Sequence, residues 1–217
     1  MFIGHYGPAF LVKRADRTIP LWVLFVAVQF LDVLWAPFVL LGIEKVRIVP
    51  GFTKASPLDL YYMPYTHGLL TTIGWSIVFG GAYQLIARPS TARASILVGL
   101  AVFSHWVLDF LVHRPDLPLY DNSAKVGLGL WNIPTIELPL EALLLLGAMW
   151  WCYRENLRRA IGTFVFGVLL VALQVYSFFA PPPPTDKAMA ATAFISYIVL
   201  AIVIWWLQDR KPSAATR

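Results

Sequence analysis

Six apolar runs of about twenty residues constrain this chain more than any other feature of its sequence. They cover residues 20–43, 66–87, 94–113, 134–153, 160–180 and 188–208. A bilayer core about 30 Å thick takes about twenty helical residues to cross. The composition agrees: 59% of the 217 residues are hydrophobic and 13% are charged, where a soluble domain has roughly a quarter charged. The pattern predicts an all-α, polytopic integral membrane bundle of about six transmembrane helices. A single cysteine, Cys152, excludes an intramolecular disulfide framework. The net charge of +5 suits loops lying against anionic lipid, and nucleic acid is not expected as a partner.

Residues 1–12 are apolar, too short to span, and broken by Gly4, Gly7 and Pro8. With the basic stretch that follows, residues 1–19 are expected as a short interfacial or re-entrant piece. No charged region precedes the first apolar residues, so a cleavable signal peptide is not expected. The remainder of this single transmembrane domain divides into a polar half (20–153), an apolar bracing half (154–208) and a short tail (209–217). Gly68, Gly74, Gly80 and Gly81 in the second run favour close helix approach. Lys and Arg number eleven on the side holding both ends of the chain and six on the side holding loops 44–65 and 114–133. That bias places both termini in the cytoplasm and the long loops outside.

Ionisable residues concentrate in the polar half. Asp32, His105, Asp109, His113, Glu137 and Glu141 stand in apolar runs, and His67 opens the second. Such groups are costly at membrane depth and mark function by default. His105, Asp109 and His113 are four apart in sequence, so neighbours in that series share one helix face. His105 and His113 are separated by about 12 Å of helix rise, too far for one ion on a straight helix. Glu141 lies one turn below Glu137 on the same face. By depth, these groups fit one cavity opening outward, and His5 joins them if residues 1–12 re-enter the bilayer. A His/Asp/Glu set without cysteine suits a divalent metal, with Zn first and Mn or Fe as alternatives. The blander readings stay open: His105–Asp109 as a proton relay or structural pair, Asp32 with Gln29 as interhelical glue, and His67 as a cap at the start of its helix, with Thr66 the more natural one.

Gly4-His5, Asp32 in the first run, Tyr65-Thr66-His67 opening the second, and His105-x-x-x-Asp109 in the third occur in that order. Over about residues 1–113, this order resembles bacterial inner-membrane proteins known as membrane-bound metal-dependent hydrolases. More distantly, it is similar to zinc-dependent phospholipase C. The resemblance implies that His5, Asp32, His67, His105 and Asp109 are metal ligands, and that the substrate is a phosphoester or lipid-like molecule. The sequence departs from that pattern in lacking an acidic cluster beside His67.

Together these readings lead to a membrane-embedded hydrolase in which a metal-activated water attacks an ester or phosphoester. Glu137 or Glu141 is the expected base or further ligand. Membrane lipid is the expected partner, and the last two spans offer a surface for homo-oligomer formation. The rivals are a metal-ion or proton transporter using the same groups and a scaffold whose buried polar residues only join helices. The scaffold would bind no metal.

Overall fold

The computed structural model describes residues 1–87 and 90–210. Among the described residues there are eight α-helices: α1 (Tyr6–Ala15), α2 (Leu21–Val28), α3 (Phe30–Leu40), α4 (Leu69–Ile86), α5 (Ala92–Val112), α6 (Pro134–Tyr153), α7 (Ile161–Ser177) and α8 (Asp186–Ile204). All six apolar runs are helical. Four of the helices, α4, α5, α6 and α8, are long and apolar enough to cross a membrane, α8 by continuing to Asp209. The pair α2–α3 makes a fifth candidate bent by 53°, and α7 is a shorter apolar helix. The expected count of six thus meets four candidate spans, one bent candidate pair and one shorter apolar helix among the described residues. Arg88 and most of the expected tail, residues 211–217, lie outside the described residues.

The long loops hold two antiparallel hairpins, β1 (Lys45–Ile48) with β2 (Leu58–Tyr62) and β3 (Leu117–Tyr120) with β4 (Ser123–Val126). They add a small strand content to a bundle expected to be all helical. In the first hairpin Arg47 faces Asp59, and its Nε donates to Asp59 Oδ2 at 3.0 Å.

Local chemistry explains the boundaries. The Thr91 and Thr185 side chains accept from the amides of Ala94 and Ala188, capping α5 and α8. Pro134 stands at the start of α6, where its missing N–H costs nothing. Between α4 and α5 the approach is close. A Cβ on Gly80 would stand 2.7 Å from the Ser95 carbonyl oxygen, and one on Gly99 would stand 2.8 Å from that of Ser76. Small residues at this crossing let the backbones meet.

The segment expected as an interfacial or re-entrant piece packs inside the bundle. A single tight turn, Ile3–His5, leads into α1, which packs on α6 and α2. Ile3, Tyr6, Ala9 and Phe10 are fully buried in the main core with Leu24, Phe25 and Val102. Outward faces of the long helices carry apolar side chains such as Ile77, Leu143, Leu169 and Ile195. A water-soluble protein would cover or avoid that much exposed apolar surface, whereas lipid accepts it.

Candidate metal centre

The break between α2 and α3 builds one wall of the site. Gln29 leaves helical geometry there, with φ −108° and ψ 9°, and its side-chain amide donates to the Phe2 carbonyl at 3.3 Å. His105 Nδ1 donates to the Val28 carbonyl at 2.8 Å. That bond fixes the tautomer: a carbonyl only accepts, so Nδ1 carries the proton and Nε2 faces inward with a lone pair. Asp32, in the first turn of α3, then comes alongside.

His67 is held in the same way. Its Nδ1 donates to Thr66 Oγ1 at 2.7 Å, and that hydroxyl donates onward to Glu44 Oε2 at 2.6 Å. Glu44 also accepts the amides of Tyr65 and Thr66 at 2.8 and 2.9 Å. Burial pushes the Glu44 carboxyl above its ordinary range, against these bonds and the neighbouring His67. The acidic partner that the sequence around His67 lacks thus arrives from the far end of α3. His113, just past α5, donates from Nδ1 to Asp116 Oδ1 at 2.8 Å.

Three imidazoles therefore present Nε2 to two carboxylates. His67 Nε2 lies 3.3 Å from Asp32 Oδ1 and 3.7 Å from Asp109 Oδ2. His105 Nε2 lies 3.8 Å from Asp32 Oδ1 and 3.1 Å from Asp109 Oδ2. His113 Nε2 lies 3.7 Å from Asp109 Oδ2. Ligand atoms about 2.0–2.1 Å from a tetrahedral ion stand about 3.3 Å apart, close to this spacing. His105 Nε2 is buried and makes no hydrogen bond, despite its proximity to Asp109. A lone pair aimed at carboxylate oxygens without a proton between them is repulsive, and a cation relieves it. The donor set and this orphaned nitrogen fit a divalent metal. Two overlapping groups meet the geometric requirement, Asp32–His67–His105 and His5–His105–Asp109, with His105 common to both.

The other side of Asp109 is different. Its Oδ1 receives the Met1 amino group at 3.0 Å and His5 Nε2 at 3.1 Å. The His5 ring stacks on that of His105 at 3.9 Å between centroids, and its Nδ1 is buried without a partner. His5 thus reaches the cluster without the Nδ1 bond that orients the other three.

Glu141 and Glu137 are both fully buried on α6. The Glu141 carboxylate accepts the amides of Phe2 and Gly4 at 2.9–3.2 Å and lines the cavity beside the cluster. Among the described residues neither Glu137 oxygen has a hydrogen-bond partner, and Glu137 does not line this cavity.

A cavity of about 450 Å³ meets the cluster along Asp32, His67, Asp109 and His113. The β1–β2 turn, the Pro-rich turn before α8, and α7 and α8 themselves also contribute to its lining. Tyr197 on α8 donates its hydroxyl to Asp32 Oδ2 at 2.7 Å, so the half expected only to brace the bundle also positions a site carboxylate. Sequence reasoning missed Glu44 and Tyr197, whose contacts span 22 and 165 residues of chain. It also missed Asp116, although its spacing from His113 was there to be read.

Comparison of the chain with family models, with curated proteins and with solved structures gives no match in any of the three.

Proposed function

We propose that this chain is a membrane-embedded, metal-dependent hydrolase of an ester or phosphoester. The observation that carries the reading is the set of three imidazoles, each tied at Nδ1 and each turning Nε2 toward Asp32 or Asp109. Such outer bonds orient metal-binding histidines and raise their basicity. His67, His105, Asp32 and Asp109 would hold a divalent ion, zinc first and manganese or iron next, with His5 and His113 at its flanks. Bound there, such an ion makes water a nucleophile near neutral pH and polarises the oxygen of the scissile group. Tyr197 and Thr66, through Asp32 and His67, fix the ligands before substrate arrives. Glu141 borders the cavity and is the carboxylate we assign as proton acceptor, with Glu137 one turn away. The resemblance to membrane-bound metal-dependent hydrolases supports the same reading. With it go a bacterial inner-membrane location and both termini in the cytoplasm.

A second reading has its own observation. The α2–α3 break places a freed carbonyl and a carboxylate beside the cluster, and broken helices form ion sites in transporters. Metal analysis of purified wild type and Asp109→Asn, with turnover of a generic phosphoester, separates the readings. We expect near-stoichiometric metal and turnover in wild type, and loss of both in the variant. Metal-dependent ion uptake into liposomes without turnover would transfer the site to the transporter. Metal-free wild type that stays metal-free after incubation with Zn²⁺, Mn²⁺ or Fe²⁺ would sink both readings.

A further inference from the structure

The cavity meets the histidine–carboxylate cluster, and on α7 and α8 its lining joins apolar Leu173, Met189 and Ala193 to polar Gln174, Ser177, Thr192 and Ser196. Although α7 and α8 are consecutive, they pack on different partners: α7 rests on α6, while α8 rests on α3 and α2. Residues of both helices line the cavity, and Gln208 just past α8 donates to Thr163 near the start of α7, so the stretch of the α7–α8 side away from that contact is the candidate slot toward lipid. The outward face of α7 is apolar along its length, with Val165, Val168 and Leu169 more than half exposed. Around such a helix the neighbouring medium is hydrocarbon. The volume falls within the range of about 300–1,000 Å³ typical of small-molecule sites.

We propose that this slot admits a single-chain amphiphile sideways from the bilayer, its ester or phosphoester head at the cluster and its alkyl chain along Leu173, Met189 and Ala193. The fate of the head rests on the hydrolase reading, whereas the seating of the chain does not. Water supplies one oxygen to the acyl carbon or phosphorus, the bond to the leaving oxygen breaks, and the two protons pass to the released alcohol and acid. No co-reactant is needed.

The test uses the full-length protein, metal-loaded, in phosphatidylcholine nanodiscs with a hexadecyl phosphodiester bearing a terminal diazirine. After irradiation, mass spectrometry should find label concentrated in residues 173–177 and 189–193. That label should be lost in Ala193→Trp, which fills the slot, and also in Ser177→Trp from the opposite wall, in case the first variant folds poorly. Leu169→Trp, on the exposed face of α7, should leave it unchanged. Label spread over the apolar faces of all helices, indifferent to either slot variant, would overturn the proposal. Hydrolysis of a water-soluble nitrophenyl phosphoester is measured alongside. Turnover without slot labelling removes the amphiphile and leaves the hydrolase; slot labelling without turnover supports the seating and removes the hydrolase.

Discussion

Asp109 is the residue on which the site turns, because its two oxygens serve different neighbourhoods. Oδ2 meets His67, His105 and His113, while Oδ1 meets His5 and the Met1 amine. The role of Thr66 is separable from it. Thr66→Val removes the hydroxyl between His67 and Glu44 while leaving every proposed ligand in place. Loss of such an outer partner weakens metal binding about 10–100-fold, and competition with a chelator should read that change in a folded protein. Unchanged affinity would remove His67 from the ligand set. The four-residue spacing made the His105–Asp109 pair legible in the sequence. It also set His113 apart from His105 by helix rise, which alone could not show that Asp109 Oδ2 lies near both. Glu44 was illegible for a physical reason: its partners are chosen by where the end of α3 meets the chain entering α4, and no local pattern encodes that meeting.

The elements that carry the ligands are held by a few close contacts. His67 precedes α4 and His105 lies on α5, so the Gly80–Ser95 and Gly99–Ser76 approaches set their separation. Gly99→Leu must push the helices apart, and overpacking of this kind costs about 1–3 kcal/mol. We expect a lower midpoint of thermal unfolding in detergent together with weaker metal binding; a stable variant with wild-type affinity would refute the coupling. The glycine-rich run announced a close helix contact, though not its partner. The broken first span was less legible. Pro37 is the visible breaker, yet the bend falls at Gln29. At that position Gln29 bonds the Phe2 carbonyl and Val28 serves His105, so tertiary hydrogen bonds, rather than a helix-breaking residue type, accompany the turn. The hairpins escaped notice because strands of four and five residues are too short to establish a period.

At the scale of the whole molecule, the proposed ligands come from three separate stretches: α3, the entry to α4, and α5, with His5 adding a fourth. An ion bound to all of them ties the bundle together only when it is folded. Metal present at a hundred times its dissociation constant should therefore stabilise the protein by about 2.7 kcal/mol. Stripping the metal with a chelator should lower the unfolding midpoint, and adding it back should restore it; a midpoint indifferent to metal would count against a site built from these stretches. The class of fold was legible because lipid imposes length and apolarity on every span. The division into a polar and a bracing half was less complete, since Tyr197 reaches back across the bundle to Asp32. The buried N-terminal segment adds a matter of timing. The amides of Phe2 and Gly4 end on Glu141, and His5 ends on Asp109, partners that the ribosome delivers more than a hundred residues later. Residues 2–5 are thus made long before their partners, and until α6 emerges this segment has to wait with its apolar face uncovered.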